Sequence, residues 1–595
     1  MMFKLLFLTA ILALISIFSN VKADNIIYIG GKNYQLSSLS NTKTIIKSDE
    51  LESSNVYDLG ELLRSTPSVE VTSNGGLGQL SSVFFRGTDS NHTLFLLNGV
   101  NINDGVTNQA SLQFINPQIA DQIDLIKGPS STIFGNAAIG GVINIDTTQI
   151  TSRDLKGTAK FSYGSKNTKN LFVKKAFLYN QDIFSLSLGA IKSNGIKPKL
   201  SSSFDAGYEN KTLDMIYVKN LDNGKLTANI FQTQGFAQYD SSGKQERDFN
   251  MQVFSWGLEN YKYNNNSLSG KISYFKQYTD ESTSNLGADD YAKTYRVKID
   301  LENKKSLDNN KNLVFGLNLS KERVKYDNYG FYSGSFTTKE TYLQADVKTD
   351  FGKLISGARI SHDEFFKSHK TWNLGFSNDL SKNISIGGMI STGYQAPPGT
   401  DRFDASYGSK TLKPETSKSK EISVIYIPNK DTNFEVNIFN TNINDLVEYG
   451  PAPTYRKKNA GSANIEGVEL IGQKKLNNWV ISSNILFQNP LKANGSRLLK
   501  RAKRKGSVMA LYKRGKIEWS TKLLHSGERT DAADAEDDDK MATYSIVNSN
   551  FDYELSNRLT FNVKIDNIFD TFYETTDGFS ANGRSIFFGL KYVGF

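Results

Sequence analysis

From about residue 151 to its end, the chain alternates apolar and polar side chains with a period of two, and this pattern limits the folds that it can adopt. In the segment 559–566 every second residue is apolar, starting with Leu559, and the residues between them are polar. The side chains of a β-strand point alternately to opposite sides, so such a strand places one apolar wall against one polar wall. The pattern therefore predicts a β protein with many strands.

The length of this region favours a membrane barrel over a soluble sandwich or a propeller. At about 20 residues for a strand and its connection, residues 151–595 give about 22 strands, the size of plugged outer-membrane barrels. No repeat at a propeller period is evident, and the two faces suit lipid outside and a polar lumen inside. In lipid every backbone polar group needs an internal partner, so the sheet must close. We expect a transmembrane antiparallel β-barrel of about 22 strands.

The first 23 residues are predicted to be a secretory signal peptide. Lys4 supplies the positive start, Leu5–Phe18 is almost wholly apolar, and Ala23 ends a plausible cleavage site. The alternative is a membrane anchor, but a spanning helix needs about 20 apolar residues and this run is shorter. We expect the mature chain to begin near Asp24, outside the inner membrane.

Composition excludes several classes of protein. Hydrophobic residues make up 38% of the chain and the mean hydropathy is −0.42, which excludes a membrane protein of many helices. The chain has no cysteine and only 4 histidines, so thiol catalysis, disulfides and a His-rich metal centre are not expected. The net charge of +9 is weak for this length, and the basic run 500–505 is matched by the acidic run 531–539. Neither a nucleic-acid partner nor an enzyme is predicted.

Residues 32–150 have a different pattern, typical of a small α+β domain. A short capped helix is predicted over Ser53–Leu63. Pro67 stops it, because proline disfavours helix in the residue before it. Short apolar runs suited to strands follow at Ser82–Phe85, Thr93–Leu97, Ile123–Ile126 and Gly141–Ile145. Arg86 is predicted to be a buried charge, which needs a carboxylate partner. Glu70 and Asp124 are both candidates.

Several motifs in their order and spacing carry a resemblance to a known family. They are Leu62–Val71, Asn74–Gly87, Ile126–Ser131 and Phe134–Ile145 in the first region, and Tyr394–Pro397, Leu412–Glu415, Lys420-Glu421, Glu466–Glu469 and Asp566–Asp570 in the second. Together they resemble the TonB-dependent outer-membrane receptors, and most closely their cobalamin-transporting branch. The resemblance implies a monomeric barrel in the outer membrane of a Gram-negative bacterium, with residues 32–150 as a plug inside the barrel formed by residues 151–595.

The resemblance also implies a partner, TonB, with its inner-membrane energising complex. Members of the family present a short extended segment, the TonB box, near the mature N-terminus. Residues 24–31 are in that position, and the segment is identified as Asn25, Ile26, Ile27, Tyr28 and Ile29, followed by two glycines. β-branched residues suit a strand that adds to the sheet edge of a partner.

The ligand implied by the resemblance is cobalamin or a related corrinoid. The substrate-binding positions that it implies are Leu80, Ser82, Asp89, Val106, Thr107, Asn108 and Lys500. Asp89 replaces an Asn that is frequent in the family. Lys500 replaces a contacting Arg, which keeps the charge and loses the planar guanidinium.

No cofactor is required by this interpretation, although the branch uses calcium to order outer loops. Tyr239, Asp240 and Asp248 match that pattern, while the acidic cluster that precedes them survives only as Asp205. Calcium prefers about 6–8 oxygen ligands. We therefore expect at most a partial calcium site.

Three functions remain open at this point. The first is active uptake of a corrinoid, and the second is the same uptake of a ferric siderophore. Haem is disfavoured, because residues 398–411 contain no histidine where haem receptors usually have one. The third function, of another class, is that of a passive porin or a surface adhesin.

Overall fold

The computed structural model describes residues 43–48, 50–51, 56–66, 68–281, 290–327, 331–531 and 540–595. The predicted signal peptide and the TonB box lie outside the described residues.

The N-terminal part is a small plug domain around a mixed sheet. Its elements are β1 (Lys43–Lys47), α1 (Leu59–Arg64), β2 (Val69–Ser73), β3 (Ser81–Phe85), β4 (Thr93–Leu97), β5 (Val100–Asn101), β6 (Gln122–Lys127), α2 (Ser131–Phe134), β7 (Gly141–Asp146) and α3 (Ser152–Lys156). The sheet has the order β1-β6-β7-β4-β5, in which β4 and β7 are parallel, and β2 and β3 form a separate hairpin. Buried apolar side chains such as Phe85, Phe95 and Ile143 form the core.

Helix α1 starts later than the sequence predicted. Val56–Asp58 precede the helix, and the Asp58 carboxylate accepts a hydrogen bond from the Gly60 amide at 2.7 Å. Asp58 is therefore the N-cap, a role that short polar side chains perform well. The predicted start at Ser53 is wrong for the described residues Val56–Asp58, because the Asp58 cap places the first helical residue at Leu59.

The rest of the chain forms the barrel wall and its loops. The strands and one helix, in chain order, are β8 (Thr158–Gly164), β9 (Thr168–Tyr179), β10 (Asp182–Ser193), β11 (Tyr208–Leu221), β12 (Gly224–Asp240), β13 (Lys244–Tyr263), β14 (Asn266–Asp280), β15 (Tyr291–Asp308), β16 (Lys311–Asp327), β17 (Phe331–Thr349), β18 (Gly352–Asp363), β19 (Lys367–Asp379), β20 (Ile384–Gln395), α4 (Gly399–Phe403), β21 (Glu415–Asn429), β22 (Thr432–Asn444), β23 (Val447–Tyr449), β24 (Lys457–Asn459), β25 (Ser462–Leu476), β26 (Trp479–Lys492), β27 (Arg504–Arg514), β28 (Ile517–Ser526), β29 (Arg529–Thr530), β30 (Lys540–Met541), β31 (Tyr544–Glu554), β32 (Leu559–Asp566) and β33 (Ser585–Val593).

Within the described ranges, 22 of these strands close into one antiparallel barrel. The last strand, β33, pairs with the first, β8, and so removes both sheet edges. The strands β23, β24, β29 and β30 form small hairpins in loops and are not part of the wall. The prediction of a closed barrel of about 22 strands with a plug is confirmed.

The two faces of the wall explain the alternation. Along β33 the side chains of Ile586, Phe588 and Leu590 are exposed on the outer surface, whereas on β32 Asn562 and Lys564 are buried in the lumen. The outer face is thus apolar and the inner face polar, as a wall in lipid requires. Among the described residues, no helix is long and apolar enough to cross a membrane.

The two ends of the barrel differ. At one end tight turns such as 180–181 and 515–516 join the strands, and the C-terminal Phe595 lies there beside Lys156. At the other end the connections are longer, as in 194–207, 396–414 and 493–503. We call these the turn end and the loop end.

Candidate ligand site at the plug apices

Three plug segments contact connections at the loop end of the barrel. We call them the first apex loop (residues 74–80), the second apex loop (residues 86–92) and the third apex loop (residues 104–108). Most of the predicted substrate-binding residues lie on or beside them.

The first apex loop is held by backbone geometry that only glycine permits. The Asn74 amide donates to the Leu80 carbonyl at 3.0 Å and closes the loop. Gly78 has φ +85°, and a Cβ there would lie 2.2 Å from the ring of Tyr208, so a larger residue does not fit. The Leu80 side chain at the end of this loop is 46% exposed, and Ser82 behind it is half-buried. Leu80 is therefore free to contact a ligand.

The second apex loop is bound to the barrel by Arg501. Its guanidinium forms an ion pair with Asp89 and donates to the carbonyls of Gly87 and Thr88 at 3.1 Å each. Burial would raise the pKa of Asp89, but the Arg501 charge outweighs burial and lowers it. Asp89, predicted to face a ligand, is thus already paired with a barrel residue.

A second link from this loop is a buried histidine. His92 is 0% exposed, and its Nε2 lies 2.9 Å from a carboxylate oxygen of Glu415 at the start of β21. The other oxygen of Glu415 accepts from the Val447 amide at 2.8 Å. Burial would lower the pKa of His92, and the Glu415 carboxylate outweighs it, so the pKa is raised.

The third apex loop packs under the loop that carries α4. The amides of Gly399 and Thr400 donate to the carbonyls of Gly105 and Val106 at 3.1 and 3.0 Å. Val106 is buried with Val324 of β16, whereas Thr107 is exposed. The backbone of this loop is therefore occupied. The exposed Thr107 side chain donates its hydroxyl hydrogen bond to Asp104 at 3.0 Å.

The structure brings the second and third apex loops together, and Lys500, the predicted substrate-binding residue of the barrel, is next in sequence to the Arg501 that bonds the second apex loop. Asn108 is buried and its side-chain amide donates to the Asn91 carbonyl at 2.9 Å. Lys500 precedes Arg501 in the chain, and its ammonium lies 3.3 Å from Asp531. Of the predicted substrate-binding residues, Leu80 and Thr107 are exposed, whereas Val106 and Asn108 are buried in plug–barrel contacts. Their roles toward a ligand stay predictions.

The predicted calcium ligands contact other protein groups. Asp240 accepts from Ser202 and from the Gly243 amide, and the Tyr239 hydroxyl donates to Glu281 at 2.5 Å. Asp248 lies across the strand pair from Asp280. Among the described residues, no group of three or more acidic, histidine or cysteine side chains could hold a metal ion. The calcium site stays a prediction that the described residues do not favour.

Arg86 is buried as predicted, but both predicted partners are wrong. It is 2% exposed and bonds Glu421 of β21 at 2.7 Å and Glu469 of β25 at 3.0 Å. Of the predicted partners, Asp124 instead pairs with Lys43 at 3.0 Å. Both true partners lie in motifs quoted for the family resemblance, but nothing in the sequence joins them to the plug.

Sequence reasoning also missed a cluster of aromatic rings around Arg402 on α4. The guanidinium carbon lies 4.1 Å from the ring centre of Phe365, 4.6 Å from that of Phe366 and 4.5 Å from that of Phe403. Phe403 also stacks on Tyr332 at 4.3 Å between centres. The Phe365-Phe366 pair was the available signal, but it is separated from α4 in the sequence.

Comparison with known proteins assigns the chain to a family. The family model described as "TonB dependent receptor-like, beta-barrel" matches residues 194–568. The family model described as "TonB-dependent Receptor Plug Domain" matches residues 35–142. The chain belongs to the TonB-dependent receptors. Receptors of this family lie in the outer membrane of Gram-negative bacteria. Barrels of that membrane have short periplasmic turns and longer extracellular loops, so the loop end is extracellular and the turn end periplasmic.

Relatives that are similar in sequence are named as vitamin B12 transporters. The receptor is 27% identical over 578 residues to a protein of Vibrio vulnificus (strain YJ016) named vitamin B12 transporter BtuB, covering 93% of each chain. A protein of Vibrio cholerae with the same name is 23% identical over 594 residues, again covering 93% of each.

Solved structures similar to the receptor carry other names. The siderophore receptor PirA from Acinetobacter baumannii has a TM-score of 0.81 at 17% identity, over 95% of this chain and 100% of that chain. A mutant ferric enterobactin receptor PfeA from Pseudomonas aeruginosa, in complex with enterobactin, has a TM-score of 0.82 at 15% identity, over 93% and 99%. At these identities the likeness shows the fold alone.

Proposed function

We propose that this TonB-dependent receptor takes up cobalamin or a related corrinoid. The observation that carries the proposal is the match to vitamin B12 transporters, which extends over 93% of both chains at 27% identity. The siderophore receptors share the fold at 13–17% identity. A fold hosts many functions, so the match in sequence is the stronger guide to the ligand.

The plug geometry supports a site between the extracellular loops and the apex loops. Leu80 offers an apolar contact, and the exposed Thr107 offers a hydroxyl group that also bonds Asp104. Beneath Thr107, the carbonyls of Gly105 and Val106 accept hydrogen bonds from barrel amides. A bound ligand would press on loops that Arg501 and Glu415 connect to the wall. No bond of the ligand is made or broken, so recognition is by shape and polar contacts.

Uptake then depends on the N-terminal segment. In this proposal, ligand binding makes residues 25–29 available in the periplasm, where TonB adds them as a strand to its own sheet. The inner-membrane proton gradient supplies the work through TonB, and the plug opens a path.

Calorimetry of cyanocobalamin with the purified receptor in detergent tests the ligand. We expect tight binding, and we expect Leu80→Asp to weaken it by about tenfold or more, since a buried leucine contributes about 1.5–3 kcal/mol. Leu380→Asp is the matched control, because Leu380 is 59% exposed in the turn 380–383, at the opposite end of the barrel from the apex loops. No binding at micromolar concentration would contradict a corrinoid ligand and leave the family assignment intact.

The same titration with and without calcium tests the proposed partial calcium site. The site would be supported if the affinity of the wild type falls when calcium is chelated and the affinity of Asp240→Asn does not depend on calcium. Equal affinity in both conditions would contradict calcium at Tyr239, Asp240 and Asp248.

A ferric siderophore is the second candidate, favoured by the cluster around Arg402. Aromatic rings beside a guanidinium suit the flat, negatively charged groups of an iron chelate. Growth of an iron-starved strain that expresses the receptor, supplied with one siderophore at a time, distinguishes the candidates. Growth that requires the receptor and one siderophore would support this second function.

A further inference from the structure

The lipid-facing side of the wall carries a groove of about 610 Å³ across β21, β22, β25, β26 and β27. Its floor is one row of cross-strand neighbours, formed by Ile422, Ile438, Val468 and Phe487. All four side chains point away from the lumen, and Ile422, Ile438 and Phe487 are strongly exposed. In the membrane this floor faces hydrocarbon.

Positive side chains stand at the extracellular edge of the floor. Arg504 is the direct cross-strand neighbour of Phe487, so it continues the apolar row. Lys420 lies one row nearer the extracellular side, opposite Asn440. Lys503 also lines the groove and directly precedes Arg504, at the end of the loop 493–503. All three cations are exposed.

The acidic content of the groove does not neutralise these cations. Glu466 is the acidic side chain in the same row as Lys420, and Glu421 points inward to Arg86. Within the part of the chain that the structure describes, no side-chain hydrogen bond or salt bridge joins Lys420, Lys503 or Arg504 to another residue. The groove therefore has a net positive edge above an apolar floor.

Cations at this height are stabilised by the headgroup layer or by an anionic partner, and the groove beside these three offers room for such a partner. A cation close to hydrocarbon is costly unless its charged end reaches the headgroup layer or pairs there. Phosphate suits the site, because it accepts several charge-assisted hydrogen bonds from Arg and Lys. Gly506, in the next row beneath Arg504, faces outward and leaves room that a side chain would fill.

We propose that this groove binds a phosphorylated acyl lipid of the outer leaflet. One acyl chain lies along the floor from Ile422 to Phe487. The phosphate contacts Lys420, Lys503 and Arg504. The bound lipid therefore covers the outer surface of the wall between β21 and β27. This site is on the outer surface of the wall and is separate from the ligand site at the plug apices.

Native mass spectrometry of the full-length receptor with bis-phosphorylated lipid A tests the proposal. We expect a bound lipid in the wild type, and we expect K420Q/K503Q/R504Q to weaken binding by about tenfold or more, because each cation attracts the headgroup. The matched control is K321Q/R323Q/K339Q. These three cations are also exposed on the lipid-facing side, on β16 and β17, beside leucines such as Leu319 and at a place without this groove. The control variant should bind like the wild type.

A second measurement uses the wild type alone and so does not depend on the folding of a variant. Lipid A without its phosphates should bind at least about tenfold more weakly than the bis-phosphorylated form. Equal binding of the two forms, or equal losses in the groove variant and the control variant, would overturn the proposal. A mass that corresponds to two receptor chains without lipid would overturn it in favour of a protein partner.

Discussion

At the residue scale, one buried guanidinium joins the plug to two barrel strands. Replacing Arg86 by Met removes the guanidinium that pairs with the buried carboxylates of Glu421 and Glu469. Glu469 then keeps Lys127 at 3.3 Å as its remaining cation. We expect the loss of about 3–5 kcal/mol in the free energy of plug release, as for one half of a buried ion pair. Urea titration of the receptor in detergent, with proteolysis of the released plug as the readout, measures it.

The control for this change is an ion pair at the surface. Arg497 lies 3.1 Å from Glu528, and both side chains are at least one third exposed. We expect Arg497→Met to change the same free energy by less than about 0.5 kcal/mol. Equal effects of the two substitutions would show that Arg86 does not hold the plug.

The His92–Glu415 contact predicts a pH dependence of stability. The pKa of His92 is raised in the folded protein, so its stabilising effect is complete below the unfolded value of about 6.5 and is lost as pH rises through the folded value. We expect wild type and His92→Gln to differ most at pH 5.5 and to converge as pH rises. Asp89 and Arg501 also face this ring and remain in both proteins. A difference that is constant across pH, in the same urea titration, would contradict this.

How far the sequence predicts single residues depends on how far apart their partners lie. It placed Arg86 in a buried position, because charged residues inside a plug are recognisable from its motifs. It did not find Glu421 and Glu469, which are 335 and 383 residues away. The pairing of Asp89 with Arg501 was missed for the same reason, since contacts across hundreds of residues follow from the closed barrel and not from local pattern.

At the element scale, the strands were predictable and their connections were not. Lipid outside and polar side chains inside impose the period of two on every strand, so β32 and β33 are visible in the sequence. The extracellular connections have no such constraint. Their contacts with the apex loops, such as Gly399 with Gly105, required the structure.

The predicted TonB box is an element that can be tested by proline. Ile27→Pro removes a backbone donor and disfavours a strand, so it should abolish energised uptake. Binding of ligand to the purified receptor should be unchanged, because residues 25–29 are not part of the apex loops. Ile27→Val keeps a β-branched residue and serves as the control. Uptake by the proline variant equal to the control would place the coupling segment elsewhere.

At the scale of the whole molecule, the plug is bonded to the wall on several sides. Arg296 of β15 donates to the carbonyls of Asn101 and Asn103, and Arg359 of β18 donates to the carbonyl of Thr132. Arg86 adds β21 and β25 to these contacts. Donors distributed in this way hold the plug across the lumen, so free diffusion through the barrel is not expected.

This arrangement separates energised uptake from a passive porin. In a planar bilayer the intact receptor should show no steady ion current, because the bonded plug fills the lumen. The variant R86M/R296M/R359M removes three cations that hold the plug, and we expect it to open intermittently and more often than the wild type. The lipid-facing variant K321Q/R323Q/K339Q controls for loss of three charges and should remain closed. A steady current through the intact receptor would favour the passive porin, because a lumen that conducts without TonB has no need of an energised plug.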